Sequence, residues 1–387
     1  MSTLKVNTIR HTGASSDAVT LATDGTCTAK ITNNLSNRNL IINGAMNVAQ
    51  RGTSSTGNGM HSVDRFSCDW TGHDEIGTQA QHALTSSDTG PWEEGFRHSF
   101  HITNGNQTGG AAGADRCELH TKLEAQDIAN SGWNYTSASS YITLSFWVKS
   151  SVAQDFKGYL YSYDGTPKSY PYATGSLSAN TWTKITKKIP GHADLQFDNN
   201  HDQGWFMSIE AFLGVDMTSN VTEDAWMTYA SGSRTADVSN TWWNTNDATF
   251  EITGVQLEVG DVATDFEHRS YADELTRCER YFQVLAKGDS LYLTNCMFYT
   301  ATTITGVMTY KTQMRSQPTL HQEAVTNGYV IYHNGNGDSF NSFTGLTGHD
   351  KDATGIYITS GVTGTAGHCG GMYLNDASCI VALKAEM

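Results

Sequence analysis

Three features of the sequence predict an all-β protein: short runs of alternating apolar and polar residues, abundant Gly, Thr, Ser and Asn between them, and a low content of charge. Of 387 residues, 38% are hydrophobic and 16% charged, with 37 glycines. That balance favours short strands joined by polar turns over long amphipathic helices. A single core seldom grows beyond about 250 residues, so a chain of this length is expected to divide into two or three units.

From Ser2 to Asn37 the chain is rich in Thr, Asn and Ala, with scattered apolar residues (Leu4, Val6, Ile9, Val19, Leu21, Ile31, Leu35). These are too few to build a core within one copy, so residues 1–38 read as an assembly segment that needs a partner surface or further copies of itself. At Asn39 the texture changes. Asn39-Leu40-Ile41-Ile42-Asn43-Gly44 is an apolar run closed by an Asn-Gly turn, and Val63-Asp64-Arg65-Phe66 follows a flexible stretch.

Residues 39–268 read as a jelly-roll β-sandwich. In Tyr141 to Lys149, Ile142, Leu144, Phe146 and Val148 fall on one face and Tyr141, Thr143, Ser145 and Trp147 on the other. Trp205 to Leu213 alternates likewise. Phe250 to Val259 begins with Phe250 and Ile252 on one face, then changes phase at Gly254 to Val255, Leu257 and Val259, the sequence mark of a β-bulge. Weaker strands at 116–122, 157–163 and 181–189 complete a spacing that suits a sandwich.

A helix interrupts this pattern. Ser270-Tyr271-Ala272-Asp273 has the form of a capping box, and Tyr271, Leu275, Cys278, Phe282 and Leu285 recur at heptad spacing, which predicts a connecting helix over 269–285. Its seam is expected to pack on its own domain, with a trimeric seam as the alternative, and Asp273 and Arg277 are placed for an i, i+4 ion pair. After it, residues 286–387 return to short strands near 291–300, 302–310, 329–332, 355–359 and 379–383, with a turn at Asn334-Gly335-Asn336-Gly337-Asp338. This predicts a small C-terminal β domain.

The composition excludes several functions. A formal charge of -15 repels phosphate backbones and anionic membranes, so nucleic acid is not an expected partner. No run approaches the roughly 20 apolar residues of a membrane span, and Met1 to Arg10 does not resemble a signal peptide, so synthesis in a cytoplasm without membrane insertion is expected. The seven cysteines lack any Cys-x-x-Cys pair and read as thiols in a reducing compartment.

No catalytic motif is present, and carboxylate pairs such as Glu93 with Glu94 or Glu223 with Asp224 read as solvated acids. His321, His333, His349 and His368 lack metal-site spacing. Asp194 to Asp202 offers oxygen ligands of the kind calcium prefers but no EF-hand pattern, so an ordinary loop is expected and no cofactor is assigned. No enzymatic activity is expected.

What the chain does offer is aromatic rings beside Asn, Asp, Gln and Arg, the groups that hold a neutral sugar. Tyr159, Tyr161 and Tyr163 alternate onto one strand face and are expected to pack inward. Tyr170 and Tyr172, in a Pro-punctuated loop, and Trp242 and Trp243, in a polar turn like that of Trp92, are the candidate glycan contacts.

Three segments, NLIINGAMNVAQRG (Asn39 to Gly52), VDRF (Val63 to Phe66) and ITGVQLEVGDVATDFEHRSYADELTRCERYF (Ile252 to Phe282), together look like those of bacteriophage tail-fibre proteins, especially of marine and cyanobacterial phages. Ser2 to Ile9 with Asp24-Gly25-Thr26 is similar to the virion-proximal segments of such fibres, and MRSQPT (Met314 to Thr319) to their C-terminal parts.

The resemblance implies a carbohydrate-binding-module-like jelly roll in the middle, closed by Gln256-Leu257-Glu258 and leaving at Phe266-Glu267. It implies a homotrimer in the virion whose N-terminal segment joins tail or adaptor proteins and whose body or tip recognises a host surface glycan or outer-membrane protein. It carries over no binding residue, and 286–387 departs from it beyond MRSQPT. The alternatives are a polysaccharide-depolymerising tailspike, which usually rests on repeats of about 20 to 30 residues that this chain lacks, and a purely structural virion protein.

Overall fold

The computed structural model describes residues 5–15, 17–25, 27–29, 37–348 and 350–387. Leu4, Thr26, Ile31, Leu35 and His349 lie outside the described residues. Near the N-terminus β1 (Thr8–Ile9), β2 (Val19–Leu21) and β3 (Cys27–Ala29) form one antiparallel sheet. Val6, Ile9 and Leu21 stand exposed on this segment.

The chain then builds β4 (Ser54–Ser55), β5 (Ser67–Thr71), β6 (Thr78–Ala83), β7 (His98–Thr103), β8 (Arg116–Glu124), α1 (Ala125–Ala129), β9 (Tyr141–Ser150), β10 (Asp155–Ser162), β11 (Lys168–Ser176), β12 (Thr183–Pro190), β13 (Gln203–Leu213), β14 (Met227–Thr228) and β15 (Thr249–Val259). These strands make two antiparallel sheets: sheet I in the order β14-β11-β10-β13-β8-β5, and sheet II in the order β12-β9-β15-β7-β6-β4. Leu119, Leu160, Met207 and Ile209 of sheet I meet Phe100, Leu144, Phe146, Ile252 and Leu257 of sheet II in one buried cluster. The fold is an all-β sandwich with a jelly-roll character, as the alternation predicts.

Strand β15 carries the bulge expected at Gly254. Its register with β9 shifts between Thr253 and Gln256, and Gly254 sits at φ +63, so the apolar residues before and after it all reach the core. Asn39 locks the incoming chain to this bulge. Its Nδ2 donates to the Val255 carbonyl while its Oδ1 accepts from the Ile41 and Leu257 amides. A Cβ on Gly44 would lie 2.0 Å from the Val255 oxygen, so this crossing requires glycine.

The helix α2 (Tyr271–Glu279) starts where expected, with Ser270 Oγ accepting from the Asp273 amide. It ends well before 285, which corrects the sequence reading: Phe282 already belongs to a strand. Cys278 and Tyr281 bury against Ile42 and Val48 of the same chain, and pairing of Phe282 with Lys384 then draws the backbone into a sheet. Tyr271 is exposed, and Arg277 donates to Asn37 Oδ1.

The C-terminal region comprises β16 (Phe282–Phe298), β17 (Ile304–Thr309), β18 (Thr319–Gln322), β19 (Tyr329–His333), β20 (Asn336–Phe340), β21 (Gly345–Thr347), β22 (Ala353–Ile358) and β23 (Cys369–Lys384). They form one sheet in the order β20-β19-β23-β16-β17-β22-β21, with β18 also paired to β23. Asn334 and Gly335, at φ 45 and 80, make the tight turn between β19 and β20. This sheet has its own core around Ile304, Tyr329, Ile331, Ile356 and Met372.

Charged side chains join this region to the sandwich. Arg65, wholly buried, pairs with Glu386 and lies 3.5 Å above the Tyr281 ring, and Arg51 reaches both Glu386 at 3.0 Å and Asp64 at 3.6 Å. Arg280 holds Glu124 through Nε at 2.7 Å and Nη2 at 2.8 Å, and the Tyr281 hydroxyl donates to the same carboxylate at 2.6 Å. Residues from Asn39 to Gly52, from Val63 to Phe66 and from Ile252 to Phe282 therefore meet at this joint.

Candidate functional site

The register of sheet I decides which side chains share its outer face, because alternate residues point the same way and paired residues lie side by side. One row runs Lys157, Glu210, Glu118, Asp69; the next runs Tyr159, Ser208, His120, Ser67; a third runs Tyr161, Phe206, Lys122. Their neighbours along each strand, such as Leu160, Met207 and Leu119, fill the core.

Aromatic rings connect these rows. Tyr163 meets Tyr161 at 4.3 Å between centroids, Tyr161 meets Tyr229 at 4.3 Å, Tyr159 meets Phe206 at 5.3 Å, and Phe206 meets His120 at 4.8 Å. Tyr161, Tyr163 and Tyr229 are half-buried, while Tyr159 and Phe206 are buried. The covering comes from the segment after β13, where Tyr229 and Arg234 lie over the sheet, pinned by Tyr229 N–H to the Pro167 carbonyl and Arg234 N–H to the Met217 carbonyl.

Beneath this cover Glu118 and Glu210 face each other across β8 and β13. Burial drives the Glu210 carboxyl far above the usual range, and the neighbouring Glu118 charge adds to that. Burial also opposes ionisation of Glu118, but His120, Arg116 and Arg234 outweigh it and hold the carboxyl below its ordinary value. The Glu118 carboxyl lies within 3.4 Å of both the Arg234 guanidinium and the Tyr159 hydroxyl.

At the other end the face opens into a polar cleft of about 510 Å³ against the C-terminal region. Asn58, His61, Asp69, His120, Lys122 and His321 contribute to its walls. Asp69, Glu118 and His120 are close enough to share an ion, but Glu118 is already committed to Arg234.

The four sequence candidates are elsewhere, and this is a correction. Tyr170, Tyr172, Trp242 and Trp243 are all buried in the sandwich core and present no ring face to a ligand. Tyr172 donates its hydroxyl to the Ser208 carbonyl at 2.6 Å, in space left by Gly158, whose Cβ would lie 2.5 Å from the Tyr172 ring. Its segment is strand β11 and not a loop; beyond its short pairing with β14, β11 is an edge at which Pro171 needs no amide partner.

Trp242 and Trp243 bury in a turn because their indole N–H groups donate to the Thr249 and Gly110 carbonyls and both rings rest on Trp70. The strand tyrosines also depart from expectation: they face outward from sheet I. In the Asp194 to Asp202 stretch, Leu195 and Phe197 anchor the loop in the core and Asp194 pairs with Lys168 at 2.9 Å.

No family model and no curated protein matches this chain. Among solved structures it is similar to the enzymatically active domain of tailspike protein 4 of bacteriophage CBA120, at 11% identity over 57% of this chain and 21% of that one, with a TM-score of 0.30. It is also similar to a putative sugar-binding protein from Bacteroides thetaiotaomicron, at 12% identity over 57% of this chain and 100% of that one, TM-score 0.31. A tandem pair of family 22 carbohydrate-binding modules from Paenibacillus barcinonensis matches at 9% identity over 91% of this chain and 99% of that one, TM-score 0.27.

Proposed function

We propose that this chain binds a carbohydrate of a host-cell surface along the outer face of sheet I, and that it does so as the body of a homotrimeric phage tail fibre. The observation that carries the binding reading is the aromatic file from Tyr163 through Tyr161 and Tyr229, on the face that opens at its other end into the polar cleft walled by Asn58, His61 and Asp69. Rings of this kind stack on the C–H surface of a sugar, and polar groups such as those of the cleft bond its hydroxyls.

The fibre reading is supported by the sequence resemblance and by Val6, Ile9 and Leu21, which lie exposed in a segment suited to self-association. Residues 1–38 would join the tail, and three copies per fibre would raise the effective concentration of a weak site. Purified chain is expected to block phage adsorption, and to stop doing so once host glycans are stripped. A chain that blocks equally well on stripped cells would show that the receptor is a protein.

Glu118 and Glu210, with their ionisations pushed apart, have the pattern of an acid and base pair. Glu210 is nevertheless fully buried beneath the covering segment, out of reach of a substrate. Incubation with host polysaccharide is therefore expected to retain the polymer without shortening it. Shortening measured by size-exclusion chromatography would assign the chain to the depolymerising tailspikes instead.

A further inference from the structure

The outer face of sheet II gathers a second group of side chains. Glu251 on β15 faces His101 on β7, and His82 on β6 faces Ser99, the residue that shares the face of His101. We propose that His82, His101 and Glu251 form a binding site for one divalent transition-metal ion, with zinc the ion they suit best. Two imidazoles and one carboxylate are the ligand types of open zinc centres, which keep a fourth position for water or an incoming oxygen.

The spacing supports this assignment. Zinc bonds of about 2.0–2.1 Å place neighbouring atoms of a tetrahedral shell about 3.3 Å apart. His82 Nδ1 lies 3.2 Å from Glu251 Oε2 and His101 Nδ1 lies 3.4 Å from Oε1, with all three ligand atoms within 4.8 Å of one another.

The surroundings orient these atoms as a metal site requires. His101 Nε2 lies 3.1 Å from Thr103 Oγ1; when that nitrogen donates, the Nδ1 lone pair faces a carboxylate oxygen, an arrangement that calls for a cation between them. His101 Nδ1 is buried and makes no hydrogen bond. Ser99 Oγ donates to Glu251 Oε2 at 2.7 Å and fixes the carboxylate. Lys149 Nζ, 2.9 Å from Oε1, is shared with Asp88 at 3.0 Å, so these three groups together keep one negative charge for the ion. His82 is about half exposed, which gives the ion a path from solvent.

The test is zinc titration of the chelator-treated full chain by calorimetry, together with the visible absorption of its cobalt form. One equivalent of zinc and the intense bands of four-coordinate cobalt are expected. His82→Ala, on the exposed side of the site, and Glu251→Gln should each weaken zinc binding more than about a hundredfold, and Thr103→Val about tenfold, given that outer partners of a ligand are worth 10–100-fold. Circular dichroism verifies that each variant folds. Absence of saturable binding by the parent chain, or unchanged binding by folded His82→Ala, would overturn the proposal.

Discussion

The two outer faces of the sandwich both carry rings and charges but arrange them in opposite ways. On sheet II the aromatic residues are each matched to a cation: Lys149 sits 4.7 Å from the Trp182 ring, Lys184 lies 5.7 Å from Trp147, and Lys188 lies 3.9 Å from Tyr141. Nearby, Arg97 covers Trp92 at 3.8 Å. The indole N–H groups of Trp147 and Trp182 are likewise spent on Glu94 and Asp88. On sheet I the rings of Tyr161, Tyr163 and Tyr229 touch one another and stay half-buried. A ring face satisfied by a cation has little to gain from a sugar, so the difference points to sheet I as the face with binding capacity.

Both faces rest on one core, and damage to that core is the largest effect to separate from binding. Trp242→Ala and Trp243→Ala should each lower unfolding stability by about 3–5 kcal/mol, read from the urea midpoint. Losses near zero would place these rings outside the core.

Sheet II should respond next most strongly, through Glu251. Burial alone would raise this carboxyl, but the adjacent His101, Lys149 and Ser99 side chains hold it far below its usual range. A folded value below the unfolded one means that its stabilisation is complete above about pH 4.5 and is lost as pH falls. Glu251→Gln in metal-free buffer is expected to cost about 3 kcal/mol near neutrality and to flatten the fall of melting temperature in acid. An unchanged acid profile would mean that the network does not bear on stability.

Smaller effects distinguish the faces by function. Tyr161→Ala should cost about 1 kcal/mol of stability yet weaken glycan binding at least about tenfold. Trp147→Ala on sheet II should leave glycan affinity unchanged. Equal losses from both, measured by calorimetry, would remove the distinction between the faces.

The fold was legible because alternation in Tyr141 to Lys149 and Trp205 to Leu213, the phase change at Gly254 and the Ser270 cap are local signals with local causes. The helix end was not, because Phe282 satisfies a helical seam and a strand face equally well, and only pairing with Lys384 decides between them. Site residues were harder still. Alternation divides Tyr159, Tyr161 and Tyr163 from Leu160 without saying which side is inner. The polar context of Trp242 and Trp243 gave no sign of the distant Thr249 and Gly110 carbonyls that allow both indoles to bury. His82, His101 and Glu251 are far apart in sequence and meet only through the pairing of β6, β7 and β15.

The most direct test of the account is the affinity of purified chain for host surface polysaccharide, compared with that of a Tyr161→Ala, Tyr229→Ala double variant of verified fold. Saturable binding by the parent chain, with the double variant weakened more than about a hundredfold in the dissociation constant, is the expected result. Equal affinity of the two proteins would contradict the assignment of the ligand to the outer face of sheet I.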